Sequence, residues 1–397
     1  MGNNIEEVLM PDGREPIAVK VLENIDAIAP SEWDACAGTD NPFVKHTFLR
    51  ALEDSGSVGK QSGWLPQHLI IEDDTGTLLG AVPMYLKSHS QGEYVFDWGW
   101  ADAYERAGGR YYPKLQAAIP YSPVAGPRLL VRPGNIASTI RSALTAGLIE
   151  VAKQYGVSSL HVTFADESDA KFLESSGFLV RHGYQFHWKN AGYDTFDDFL
   201  DNLSSRKRKN IRKERRRVEE AGIQVLTLNG ADIKPQHWDE FHRFYVNTYD
   251  RKWGYPYLTR DFFAMLGEEM ADQVALVRAD IDDMAIAGAL NLVGSDALYG
   301  RNWGCSGRYK FLHFEACYYR AIDFAIERGL TTVEAGTQGP HKIQRGYLPQ
   351  RTYSAHWIRD EGFRNAVADY LDRERQAEAG EAVALSELSP FRRTLDN

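Results

Sequence analysis

The chain has 397 residues, 43% hydrophobic and 25% charged, with a formal net charge of −10. That balance implies two or three globular domains with proper cores and excludes a protein that coats nucleic acid or a membrane by bulk charge. Three scattered cysteines, Cys36, Cys305 and Cys317, form neither a disulfide framework nor a zinc ribbon. No run of 18 apolar residues and no secretory pattern occur, so a cytoplasmic protein without a transmembrane segment is expected.

In chain order, a helix is predicted to begin near Trp33, followed by three strands at 67–71, 78–86 and 94–100. A long amphipathic helix at 136–155 stops at Gly156, and a short strand follows at 159–164. The second half repeats this order: a helix from Trp238, strands at 273–278, 285–293 and 297–305, a helix at 312–328 stopped by Gly329, and a strand at 331–335. Gly80-Ala81 matches Gly288-Ala289, and Trp98-Gly99 matches Trp303-Gly304. Each half closes with a short helix and a strand, around Phe186-His187-Trp188 and Ala355-His356-Trp357. Matched pieces in matched order indicate duplication of a whole domain.

The copies differ in one spacing. Gly99 and Gly156 are 57 residues apart, whereas Gly304 and Gly329 are 25 apart. The extra segment, 101–135, is rich in proline, glycine and tyrosine and reads as a surface loop, either functional or a structural lid.

Between the copies, nine of the twelve residues from Arg206 to Arg217 are Lys or Arg. Ser204-Ser205 and Gly222 bracket the run, predicting a helix whose least basic stripe holds Asn210, Ile211, Glu214 and Val218. Like charges this dense need compensation. Neighbouring Asp197, Asp198 and Asp201 could supply it, or a phosphate-bearing substrate or RNA. No helix-turn-helix, zinc finger or basic zipper surrounds the run, so a DNA partner is not expected.

Consecutive antiparallel strands followed by a strand–helix–strand crossover give the order of the GNAT fold. The expected class is therefore α/β with mixed sheets, as two tandem GNAT-like domains at 1–190 and 223–360. They are joined by a connecting segment at 191–222 and followed by an acidic helical tail at 361–397. The sequence resembles the FemAB-like family of peptidoglycan biosynthesis/recognition proteins, predicted N-acyltransferases of the GNAT superfamily. The resemblance covers about residues 30–360. It is carried by NPFVKHTFL at 41–49, GWLPQHL at 63–69, YYPKLQ at 111–116, RKRKNIRKERR at 206–216, RKWGYPYLTRDFF at 251–263, GRNWGC at 300–305, LHFEACYYRAIDF at 312–324 and EAGTQGPHKIQRGY at 334–347.

The resemblance implies transfer of an acyl or aminoacyl group to an amine. Acyl-CoA or aminoacyl-tRNA would be the co-substrate, and the acceptor a small molecule or cell-wall precursor. It also implies phosphate contacts for Arg206, Lys207, Arg208 and Arg212. The alternative is a non-catalytic protein of the same fold that recognises a phosphate-bearing glycan, a nucleotide precursor or tRNA. The Gln/Arg-x-x-Gly-x-Gly/Ala loop that cradles a pyrophosphate is missing from the first copy. In the second copy only Trp303-Gly304-Cys305-Ser306-Gly307-Arg308 approximates it.

Acyl transfer needs a base for the amine, a stabiliser for the oxyanion and fixed geometry. The second copy supplies two groups of suitable residues: His313 and Glu315 at the start of the long helix, and Glu334, His341 and Lys342 after the strand at 331–335. Gly336 and Gly339 allow a tight loop there. The equivalent loop of the first copy, from Phe164 to Lys171, has no histidine and no glycine pair, which assigns the chemistry to the second copy. Trp253, Asn302, Trp303, Gln338 and Arg345 are expected to contact substrate, with His46 from the first copy. Cys305 with His313 lacks an orienting Asn or Asp for thiol catalysis, and the histidines match no metal spacing.

Overall fold

The computed structural model describes residues 5–8, 17–250, 254–336 and 339–392. They belong to two compact units, Met1–Gly183 with Thr352–Glu378, and Tyr184–Arg351 with Ala379–Asn397. These limits differ from the division drawn from sequence because two strands are split. Leu179–Lys189 gives residues 184–189 to the second unit, and Leu348–Ile358 gives residues 352–358 to the first. The architecture is mixed α/β, with both parallel and antiparallel strand pairs in each unit.

In the first unit, Ile17–Leu22, His68–Glu72 and Leu78–Val82 pair antiparallel in one sheet. The strand read from sequence as 78–86 is two strands, because Pro83 has no N–H to continue a ladder. Met84–Lys87 accordingly belongs to another sheet, beside Trp64–Pro66 and Lys114–Ala117. Lys114–Ala117 runs parallel to Ser159–Ala165, which also pairs with residues 353–358. Helix Ala137–Gln154 lays Ile140, Leu144, Leu148 and Val151 on this framework, against Leu69, Leu115 and Leu160. That spacing is the apolar stripe of an amphipathic helix.

The strand predicted at 94–100 is absent. Trp98–Arg106 is a helix, and Lys114–Ala117 takes the place expected of that strand. The Trp-Gly match between the copies is therefore incidental, and the two glycines show it. A Cβ on Gly304 would fall 2.2 Å from the backbone carbon and oxygen of Phe244, where helix Pro235–Asp250 presses on the strand. A Cβ on Gly99 would meet nothing within 4 Å. Gly304→Ala is expected to cost about 1–3 kcal/mol in urea unfolding, while Gly99→Ala, inside a helix, gains about 0.5–1 kcal/mol. Equal effects would refute this account.

The inserted segment is also not the surface loop expected of it, since every residue from 114 to 124 is buried. Beyond Ala117 the parallel strands part, and residues 118–129 fill the gap. Gly126 bridges Ala165, and its N–H donates to the Phe164 carbonyl at 3.0 Å. Arg128 is wholly buried and pins the segment. Its Nε donates to the Thr163 carbonyl (3.1 Å), Nη1 to those of Gly126 and Pro127 (3.1 and 3.0 Å), and Nη2 to that of Val124 (2.6 Å).

On the other face of this sheet, strand alternation gathers polar residues: Lys114 and Gln116, Ser159, His161 and Thr163, Ser354 and His356. Buried Lys114 donates to Ser90 (2.9 Å), to Glu93 (2.7 Å) and to Asp97. Asp97 also accepts from the Tyr111 hydroxyl at 2.6 Å.

The second unit matches the predicted order more closely. Gln224–Asn229, Val274–Ile281, Met284–Val293 and Ala297–Cys305 form an antiparallel meander. Thr332–Glu334 then runs parallel to Ala297–Cys305 and is flanked by His187–Lys189. The intervening helix is interrupted: Leu312–Phe314 is α, Glu315–Tyr319 is a π-turn, and Arg320–Glu327 is α again. The basic run is the predicted helix, Ser205–Glu220, and Ile211 and Val218 of its least basic stripe are buried. The acidic tail is a single helix, Glu361–Glu387. Among the described residues no helix is long and apolar enough to cross a membrane.

Candidate active site

In the second unit the parallel strands Ala297–Cys305 and Thr332–Glu334 stay in register only from Ala297/Thr332 to Tyr299/Glu334. Beyond that point they separate, and a cavity of about 310 Å³ occupies the opening. Gly300, Arg301, Asn302 and Trp303 form one wall and His341 and Lys342 another. The helix closes the third side with His313, Cys317 and Tyr318. In the first unit the equivalent opening is filled by residues 118–129, so the inserted segment explains why only one of the two openings remains.

Local features aim these side chains. The ladder between Met284–Val293 and Ala297–Cys305 slips at Leu290/Asn291, leaving Arg301 as an extra residue in the cavity wall. Such a bulge takes one residue's backbone groups out of the ladder. The π-turn at Glu315–Tyr319 adds a residue to the helix, a distortion common at functional sites. Gly339 has φ 103°, and a Cβ there would lie 2.2 Å from the His341 ring.

His341 Nε2 lies 3.1 Å from the Tyr318 hydroxyl. Partial burial, with the positive charges of Arg345 and Lys342, holds His341 below its ordinary pKa, so the ring is neutral at pH 7. Lys342 is 4% exposed, and its ammonium donates to the carbonyls of Ala335 (2.5 Å) and Gly336 (3.1 Å). Burial pulls its pKa down to about 8. Burial likewise pushes the Cys317 thiol and the Tyr318 phenol up, so neither ionises near neutrality.

Of the five residues assigned to chemistry from sequence, the fold brings His313, His341 and Lys342 to the cavity. Glu334 shares a strand face with Thr332, opposite core residue Val333, and sits 3.9 Å from His187. Burial drives His187 down to about 3, so this contact is to a neutral ring. Glu315 is buried away from the cavity between Arg215 and Arg320, each at 3.1 Å.

Among the expected substrate contacts, Asn302 and Trp303 line the cavity. Arg345 is turned inward. Its Nη2 donates to both oxygens of Glu214 at 2.8 Å, its Nη1 to the His341 carbonyl at 2.8 Å, and its plane covers Phe314. His46 is buried in the first unit with Nε2 3.0 Å from the Ile25 carbonyl. Trp253 and Gln338 lie outside the described residues.

On the basic helix, Arg208 and Arg212 pair with Asp201 (3.0 Å) and Asp197 (2.7 Å), as the compensating reading required. Asp198 instead caps its own helix through Thr195. Lys207 donates to Gln344 at 2.9 Å. Arg206 is exposed and shares one helix face with exposed Lys209 and Lys213, at spacings of three and four residues.

Two site residues were missed from sequence. Tyr318 was hidden because a regular helix reading does not anticipate the π-turn. Asn291 is 1% exposed, and its amide donates to Ala275 (3.1 Å) and Ala289 (3.4 Å). The available signal was a lone amide inside the apolar run AIAGALNLV.

A second cavity, of about 370 Å³, adjoins through Trp303 and His313 and is lined by Cys305, Arg308, Tyr309 and Lys310.

The model of the FemAB-like family, described as peptidoglycan biosynthesis/recognition, matches residues 24–393. The chain belongs to the FemAB-like family. Among solved structures this FemAB-like protein is similar to FemX, at 11% identity and TM-score 0.55 over 86% of this chain and 98% of that one. It is also similar to the C-terminal domain of a putative lysylphosphatidylglycerol synthetase from Agrobacterium fabrum, at 9% identity and TM-score 0.52 over 86% and 95% of the chains. A tandem GNAT protein from the clavulanic acid biosynthesis pathway matches at 12% identity and TM-score 0.44 over 86% and 98%. At such identities the likeness is one of fold. No curated protein matches the FemAB-like chain.

Proposed function

We propose that the protein transfers an acyl or aminoacyl group to an amine in the open cavity of its second unit. The carrying observation is the contrast between the two strand openings: one is filled by the chain itself, and the other exposes a neutral histidine beside a buried lysine. In this reading His341, oriented by Tyr318, takes the proton from the attacking amine. Lys342 stands where negative charge develops on the carbonyl oxygen, and the leaving group departs with a proton. The family's description, peptidoglycan biosynthesis/recognition, lends support for a cell-wall-related acceptor, and the name of the putative lysylphosphatidylglycerol synthetase domain lends support for an aminoacyl donor.

The donor is acyl-CoA or aminoacyl-tRNA, both cytoplasmic compounds. Arg308 and Lys310 in the adjoining cavity suit its phosphates, and the Arg206, Lys209 and Lys213 stripe suits an RNA backbone or a phosphate-bearing precursor. The departure of residues 303–308 from a pyrophosphate-cradling loop favours a second reading, a binding protein without chemistry. Thermal shift separates the two. Stabilisation by acyl-CoA or charged tRNA supports the enzyme, while stabilisation by a nucleotide-linked cell-wall precursor alone supports the binder.

Once a donor is found, His341→Gln is expected to lower kcat about 10²- to 10⁴-fold with little change in KM. The acid limb of the wild-type rate profile should fall below pH 6.5, the side to which His341 is shifted. An unchanged kcat would remove His341 from the mechanism.

A further inference from the structure

The basic helix grips the turn that carries His341. Pro340–Arg345 is a short 3₁₀ turn, a form whose own hydrogen bonds are poorly aligned, so the direction of the His341 ring depends on what anchors the turn from outside. From Arg206 to Val218 the basic helix carries a single acid, Glu214, half-buried on the stripe between Ile211 and Val218. Both Glu214 oxygens accept from Nη2 of Arg345 at 2.8 Å, and the Tyr319 hydroxyl also donates to Glu214. Arg345 donates from Nε to the Tyr319 hydroxyl at 3.0 Å and from Nη1 to the His341 carbonyl at 2.8 Å. Its guanidinium sits 3.5 Å from the centre of the Phe314 ring, which packs 5.7 Å from the His341 ring, centre to centre. Arg215, next on the helix, pairs with Glu315 and Asp323 and so ties the helix to the π-turn. Two consecutive tyrosines of that turn then serve different partners. Tyr318 meets the His341 ring, and Tyr319 meets the Glu214–Arg345 pair. A buried ion pair stabilises a fold little more than apolar side chains of the same volume. What a guanidinium adds is direction, because its nitrogens are coplanar and a separate partner on each fixes the plane.

We infer that Glu214 is a positioning residue, which acts through Arg345 to hold the turn where His341 faces the cavity and Tyr318. The inference rests on the proposed transfer only for its effect on rate; the placement of the ring is measured without turnover. The readout is magnetisation transfer between the Tyr318 and His341 rings, whose centres lie 5.9 Å apart, in the full chain with labelled Tyr and His. Tyr318→Phe and His341→Gln assign the signals, and urea unfolding shows which variants are folded. Wild type should show the contact. Glu214→Gln keeps an acceptor for Arg345 and should keep it, whereas Glu214→Ala should lose it. Arg345→Lys keeps the charge but not the planar set of donors, and should lose it too. Once a donor is found, Glu214→Ala should lower kcat about 100-fold with little change in KM, the scale of a misplacement of about 1 Å, and Glu214→Gln should recover most of that loss. A contact that persists in folded Glu214→Ala overturns the inference, however much stability is lost. Should that variant not fold, a contact that persists in Arg345→Lys overturns it equally. A lost contact with kcat unchanged removes His341 from the chemistry and spares the positioning. A kcat that needs His341 but not Glu214, with the contact kept, does the reverse.

Discussion

Lys342→Met is expected to make the protein more stable and to reduce transfer by at least 100-fold. Burial lowers the lysine from its ordinary 10.5 to about 8, so at pH 7 the folded state carries a charge it disfavours. A shift of that size corresponds to roughly 3 kcal/mol. Losing the donors to Ala335 and Gly336 returns about 1–2 kcal/mol, leaving a net gain of about 1–2 kcal/mol in urea unfolding at pH 7. The pH dependence has a definite sign. Between about 8 and 10.5 the unfolded chain holds a proton that the folded chain has released, so wild-type stability rises across that window. The variant lacks that rise, and its advantage should shrink from pH 8 to 10.5. An advantage constant over this range would show that Lys342 is not the strained group. The loss of transfer follows from removing the charge beside the developing oxyanion.

Lys114→Met should have the opposite effect on stability, lowering it by about 3–5 kcal/mol, because it strands Glu93 and Asp97 inside the first unit. The methionine fills the space but satisfies neither carboxylate. Burial pushes Glu93 up to about 7 even with Lys114 in place, and without the lysine it is held higher still. Folded Glu93 then keeps a proton that the unfolded chain gives up near 4.5, so acidification from pH 7 to 5 favours the folded state. The deficit of the variant should narrow over that interval. Adding Asp97→Asn should recover part of the loss, a coupling visible in a double-mutant cycle. Strict additivity would mean that the two residues are not a buried pair.

The second unit was legible in the sequence because its strands form an antiparallel meander with short turns, where local pattern and tertiary structure agree. The first unit was less so. Pro83 divides an apolar run that reads as one strand, and the strand at Lys114–Ala117 lay hidden in a segment whose prolines and glycines signal a loop. At the site, the loop after Thr332–Glu334 stood out for its His341 and Lys342, and both line the cavity. Glu334 is seven residues before His341, yet sequence distance does not fix which face of a strand a side chain occupies. Alternation with Val333 turns it toward His187. Arg345 looked like a substrate contact because it is a charged residue in a site loop. Its partner, Glu214, is 131 residues away, and no local pattern could reveal that pair.

The splitting of two strands between the units has a consequence for biosynthesis. The first unit depends on residues 352–358 to cover the Ser159–Ala165 strand and on the helix that follows, as far as Glu378. A ribosome making about 5–20 residues per second must therefore pass the strands of the second unit and reach residue 378 before the first unit can close. Until then the strand keeps a raw edge, open to pairing with other chains. Fragments ending near residue 190 should therefore accumulate as aggregates, and supplying residues 352–378 as a separate peptide should keep them in solution.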